Sequence, residues 1–243
     1  MGRPDTSVFG GRSEDSVEIQ RRMAGAQAYN RWLVDQVADW LGRRVVDLGS
    51  ASGNITRLLL PRERLVALEP AGEHLAELTR RLGADPAVRI LEGTLTEGMI
   101  AEIRSERPDT VASFNVLEHI EDDEAALRGM AALLGPGGHL ALVVPALPVL
   151  YGSVDRVDGH YRRYTKKGLV RKAEAAGFRV ASCRYMNLPG AFGWFLNYRI
   201  LKLAYPPEGA VGLFDRLVPT IRTLERWLPP PFGQSLVLKA ERV

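Results

Sequence analysis

The run Val45-Val46-Asp47-Leu48-Gly49-Ser50-Ala51-Ser52-Gly53-Asn54 decides the fold. An apolar strand ends in an acid, opens into a tight loop of small residues and leads into a predicted helix over 55–60. Small residues there let backbone N–H groups and a helix N-terminus come close to a ligand. In an open parallel sheet, the carboxyl ends of the first strands form the ligand crevice. Nucleotide cofactors of several kinds share such a site, and the spacing separates them. A dinucleotide fingerprint reads G-x-G-x-x-G, whereas this loop reads Gly49-x-Ala51-x-Gly53. No Gly-Lys-Ser/Thr follows, so the loop is not a P-loop.

Outward from this loop the same rhythm repeats. Strands are predicted at 44–48, 64–69, 88–92, 110–115 and 139–144, with helices at 55–60, 72–82, 97–105 and 122–134 between them. Strands alternating with helices indicate a parallel sheet covered on both faces. After Pro145 come an irregular segment (146–164), a helix (165–176) capped by Gly177, a strand (178–185), helices at 190–205 and 213–227, and a last strand at 235–240. Before the core, apolar residues at helical spacing over 14–41 predict one or two amphipathic helices. The expected fold is α/β: a doubly wound, mostly parallel seven-stranded sheet with helices on both faces and an elaborated C-terminal third. Residues 1–13 read as disordered and 14–243 as one domain. Its parts are N-terminal helices (14–43), a cofactor-binding core (44–145) and a substrate-facing elaboration with the last strands (146–243).

Bulk properties narrow the function. The chain has 243 residues, 46% hydrophobic and 25% charged, an ordinary globular balance. The net charge of +3 comes from 32 basic and 29 acidic residues scattered along the chain, so a nucleic-acid face is not expected. No apolar stretch reaches the roughly 18 residues of a membrane span, and the polar start carries no secretory signal. The single cysteine, Cys183, sits in an apolar strand as a packing residue. The expected location is cytoplasmic. Four histidines and one cysteine at no ligand spacing predict no metal cluster.

Two further stretches complete the motif. Glu69 ends the strand Leu65-Val66-Ala67-Leu68-Glu69 before Pro70, where an acid can accept hydrogen bonds from both ribose hydroxyls. The run 109–120 is a strand entering the polar turn Asn115-Val116-Leu117-Glu118-His119, and Leu134-Gly135-Pro136-Gly137-Gly138 follows. Together these residues resemble the class I S-adenosylmethionine-dependent methyltransferases over about 44–145. The resemblance implies that Asp47, Gly49, Ser50, Ala51 and Gly53 line the methionine side of S-adenosylmethionine. It places Glu69 on the ribose, Pro70 beside the adenine, Thr94 and Leu95 at the adenine edge, and Asn115 with Val116 near the sulfonium. Ala51 replaces the family's middle glycine and fits if its φ is negative; Thr94 stands where many relatives carry aspartate. Outside the core, 28–32, 158–165 and 232–236 are similar to a large bacterial subgroup active on sugars, lipids or natural products.

Other residues have two readings. Tyr29 and Trp32 either cap the cofactor site or form the apolar stripe that docks the N-terminal helix. His160, with Asp155 and Asp158 nearby, is the candidate general base; His119 reads as a local packing histidine. Arg156, Arg162 and Arg163 suit an anionic substrate group, or a solvated basic loop. Arg162, Arg163, Tyr164 and Trp194 are the candidate substrate contacts. Phe192, Trp194, Phe195 and Tyr198 wall a pocket or fill the core; a membrane contact is disfavoured because no charged face opposes an apolar one. The expected activity is in-line methyl transfer to an oxygen or nitrogen of a small molecule, by a monomer or homodimer. The rivals are a nicotinamide oxidoreductase, a non-catalytic scaffold, and a methyltransferase of lipid-linked sugar or protein.

Overall fold

The computed structural model describes residues 18–19, 21–22, 25–70, 72–207 and 209–243. The expected disorder at 1–13 lies outside them, as do residues 14–17, 20, 23 and 24 of the expected 14–41 helices. Seven strands form one sheet: β1 (Arg44–Leu48), β2 (Arg64–Glu69), β3 (Val88–Glu92), β4 (Thr110–Phe114), β5 (His139–Pro145), β6 (Phe178–Met186) and β7 (Ser235–Arg242). Their order is β3-β2-β1-β4-β5-β7-β6. The first five are parallel, and β7 inserts antiparallel between β5 and β6. The order reverses at β1, so the carboxyl ends of β1 and β4 flank a crevice.

Period-two alternation sorts each strand's side chains onto two faces. Val46, Val66, Leu68, Val111, Leu140 and Leu142 enter one cluster, covered by α3 (Glu97–Ser105), α4 (Asp123–Leu133) and α6 (Lys166–Ala175). Val45, Leu65, Ala112, Ala141 and Val143 enter the other, covered by α1 (Gln27–Asp35) and α8 (Ala210–Trp227). Ala67 packs against Leu78 and Leu82 of α2 (Gly72–Leu82). Trp32 is 1% exposed inside α1's cluster, so it is a docking residue.

Several elements differ from expectation. The helix predicted at 55–60 is only a 3-10 turn, Thr56–Leu58. The residue before a proline is pushed out of the α region, and Pro61 follows at once. The loop 49–53 is therefore followed by a 3-10 turn and not by an α-helix N-terminus. The irregular segment 146–164 contains a short helix, α5 (Ser153–Val157). The aromatic helix is α7 (Leu188–Trp194), which widens into π turns over Phe195–Ile200 and stops there. Two acids of α8 anchor this C-terminal third. Asp215 accepts from the amides of Ala28 and Tyr29, and Glu225 accepts from those of Asn187 and Leu188. Each satisfies N-terminal donors that a helix cannot satisfy itself.

Candidate active site

At the carboxyl edge, the loop after β1 takes positive φ at Gly49 (79°), Ala51 (46°) and Gly53 (82°). The condition set for Ala51, a negative φ, is not met. An L-residue in the left-handed region costs about 1–2 kcal/mol. What holds it there is Glu69, whose Oε2 accepts the Ala51 amide at 2.7 Å. Glu69 is fully buried and lies beneath the loop, not on a cavity wall. Gly53 also stays off the cavity; a Cβ there would come 2.9 Å from Leu78 Cδ1, so its role is packing on α2. At Gly49 a Cβ would approach Val116 Cγ2 to 2.4 Å, so no side chain fits.

Gly49 lines two cavities. The first, about 220 Å³, is walled by Tyr29, Asp47, Ser50, Ala51, Asn115 and Val116, then by Glu118, His119, His160, Arg163 and Trp194. The second, about 200 Å³, lies between Pro70, Thr94, Leu95, Ile120 and Asp122. The structure thus brings the sequence-predicted residues on these walls together around two adjoining cavities. Two substrate candidates do not reach them. Arg162 pairs with Asp123 at 3.0 Å, and the Tyr164 hydroxyl lies 3.0 Å from Asp123 Oδ2 and 3.2 Å from Leu117 O. Both are turned to the start of α4, because Asp123, 2% exposed, requires compensation there. Arg156 is exposed and off the cavity wall. Phe192 and Phe195 are exposed, neither pocket wall nor core, while Tyr198 is buried.

His160 is differently placed than a general base should be. Its Nδ1 lies 2.9 Å from Asp155 Oδ1 and its Nε2 3.2 Å from Asp158 Oδ2. Burial alone would lower its pKa, but the two carboxylates and the charge of Glu118 overcome this and raise it to about 9. The ring is an imidazolium at neutral pH, with no lone pair to take a proton. Asp155 is the hub. Fully buried, it meets the Gly152 amide at 2.8 Å, Arg163 Nε at 2.8 Å and Trp194 Nε1 at 3.3 Å besides His160. Burial would raise its pKa, yet His160 and Arg163 hold it below the usual carboxylate range. The Arg163 guanidinium also stacks 4.6 Å over Trp194. Arg163 and Trp194 thus present a fixed wall.

Two carboxylates in the first cavity go the other way. Asp47 is raised to about 6 by burial, against hydrogen bonds from Thr56 (2.6 Å) and Ser50. Glu118, fully buried, is raised to about 7 by burial, opposed by the charge of His160. No other described residue hydrogen-bonds either of its oxygens. Glu118 lies in the turn after β4 and carries no role in the sequence motif; its signal in the sequence is an acid four residues past the strand end. Glu118, His119 and His160 bring potential ligand atoms within 4.8 Å, a convergence that linear spacing concealed. In this arrangement both His160 nitrogens face carboxylates. The Cys183 thiol, pushed up to about 11 by burial, is a packing group.

The reversal of strand order at β1, the glycine loop and an acid closing β2 define a nucleotide-cofactor α/β fold. A family model described as "Methyltransferase domain" matches residues 20–182. The chain belongs to that family and is a class I S-adenosylmethionine-dependent methyltransferase. It is 24% identical over 162 residues to the ubiquinone biosynthesis O-methyltransferase of Aeromonas salmonicida, covering 61% of this chain and 68% of that one. The Bordetella avium enzyme of the same name is 25% identical over 107 residues; the match spans 44% of each chain, less than half of that relative. Among solved structures, a methyltransferase from Archaeoglobus fulgidus superposes with a TM-score of 0.60 at 16% identity, covering 93% of this chain and 99% of that one. The [4+2]-cyclase SpnF gives 0.55 at 16% identity, covering 87% and 81%. At such identities the likeness is one of fold, and the cyclase shows that one fold hosts different chemistry.

Ala51→Gly relieves the left-handed strain but adds unfolded-chain entropy, leaving a stabilisation of roughly 0.5–1 kcal/mol in urea denaturation. Asp155→Asn leaves buried cations uncompensated and costs about 3–5 kcal/mol. His160 is raised in the folded state, so its contribution is complete below about pH 6.5 and disappears as pH rises through about 9. Wild-type stability should decline over that window, and the decline should shrink in Asp155→Asn.

Proposed function

We propose that the chain transfers the methyl group of S-adenosylmethionine to an oxygen or nitrogen of a small molecule held in the first cavity. The two cavities suit the cofactor's two ends. Asp47, together with the Ala51 amide once it is released from Glu69, would hold the charged amino-acid end. Pro70, Leu95 and Ile120 would clasp the adenine, and Asp122 brings to that cavity the carboxylate that Thr94 lacks. Glu69 would take the ribose once its Ala51 contact is exchanged. When bound, the cofactor supplies a methyl group already activated on a sulfonium.

The protein's share is then positioning, exclusion of water and removal of one proton. Fixed positioning can supply about 7–11 kcal/mol. Glu118 carries the proposal: a fully buried carboxylate on the cavity wall, unpaired by any other described side chain, close to Asn115 and Val116. It replaces His160 as the proton acceptor. His160 keeps the neighbouring charge positive, which holds Glu118 ionisable near neutrality despite burial. The O-methyltransferase names of the curated relatives support a hydroxyl acceptor.

The test uses methyl-labelled S-adenosylmethionine with a panel of small phenols and amines. Turnover should rise with pH through about 7 as Glu118 ionises. Glu118→Gln should lower kcat by about 10²–10⁴-fold and abolish that limb, with cofactor affinity unchanged. An intact limb in Glu118→Gln assigns the proton to another group.

A further inference from the structure

We propose that the helical hairpin of α7 and α8 docks the enzyme on an anionic lipid bilayer surface. The chain leads on from the π turns ending at Ile200 into α8 at Ala210, and Glu225 of α8 bonds the first amides of α7 at the other end, so the two helices run back on each other. On α8, Val211, Phe214, Val218 and Ile221 pack into the protein. A second apolar face remains uncovered: Leu213, Leu217 and Leu224 share one side of the helix, with Trp227 at its end and Leu228 just past it. Trp227 is 80% exposed and Leu213 63%. On α7 and its π extension, Trp194 and Tyr198 turn inward while Phe192, Leu196 and Ile200 do not. Isolated exposed leucines are ordinary, but a continuous apolar face marks an interaction site.

Charge selects the occupant. The described acids of the hairpin, Asp215 and Glu225, are both turned inward onto backbone amides; Glu208 lies outside the described residues. The cations Arg199, Lys202, Arg216 and Arg226 are exposed, as is Arg222, which pairs with Asp35 of α1. An apolar face whose own described exposed charges are cationic fits an anionic membrane interface, where aromatic and aliphatic groups insert at headgroup depth. No described helix is long and apolar enough to cross a membrane, so the contact is peripheral. This separation of face and charge is the feature that linear sequence concealed when it disfavoured a membrane contact. The same hairpin supplies Trp194 and Pro206 to the cavity wall, so docking would set the cavity close to the bilayer.

The test is co-sedimentation of the full chain with vesicles of phosphatidylcholine alone and of phosphatidylcholine with roughly a third phosphatidylglycerol. Binding should favour the anionic vesicles and weaken as salt is raised. Arg216→Ala and Arg226→Ala should each weaken it about fivefold, and Trp227→Glu should remove most of it. All three sites are exposed, and an unchanged circular dichroism spectrum and S-adenosylmethionine affinity would show that the fold is intact. No binding to either vesicle overturns the proposal, as does binding indifferent to all three substitutions. Dimerisation in solution that Trp227→Glu abolishes, without vesicle binding, would assign the face to a second copy of the chain.

Discussion

Four carboxylates held away from water at one edge of the sheet set the terms for everything around them. Asp47, Glu69, Glu118 and Asp155 are each at most 2% exposed. A buried carboxylate must be paired, hydrogen-bonded or protonated, and here each meets a different solution. Glu69 is covered by a backbone amide. Asp155 is surrounded by two cations and an indole. Asp47 receives hydroxyls and is raised only part of the way. Glu118 is left to the field of a neighbouring imidazolium. The cavity exists because these groups are compensated from behind, leaving polar walls that a ligand can meet.

That arrangement makes the fixed and the adjustable parts of the site distinct. Asp155, His160, Arg163 and Trp194 form a closed set in which each member satisfies another, so this wall is rigid. The 49–53 loop is different: it places a non-glycine residue at positive φ and depends on one hydrogen bond to Glu69 to keep it there. A ligand whose ribose competes for Glu69 would relieve that strain as it binds. Under the proposed ribose role of Glu69, binding and loop rearrangement would be coupled through a single carboxylate.

Much of the fold was legible because its signals are local. β1 to β5 show β-rich runs with an acid or small residue at their ends, and the structure places them within a residue of expectation. Proline accounts for part of the differences in helix bounds: Pro61 cut the first crossover to a turn, and Pro189 sits in the first turn of the aromatic helix, which begins two residues early; that segment also stops at 200, and α8 begins at 210 rather than 213. The cofactor edge was readable because β1, β2 and β4 each deliver their residues by strand register. The acceptor side was not. Whether an arginine faces a cavity or a buried aspartate depends on partners far along the chain, which is why Arg163 and Arg162, adjacent in sequence, part company. The role of His160 likewise turned on Asp155 and Asp158 lying against both nitrogens at once.

Calorimetric titration of S-adenosylmethionine, S-adenosylhomocysteine and NAD, into wild type and into Leu95→Trp, probes the paired cavities most directly. Leu95 lines only the second cavity, so the indole would fill the space assigned to the adenine. Micromolar binding of the two sulfur ligands, none of NAD, and loss of binding in Leu95→Trp is the predicted result. Preferential binding of NAD, or sulfur-ligand affinity indifferent to Leu95→Trp, would contradict the assignment of the cofactor to these cavities.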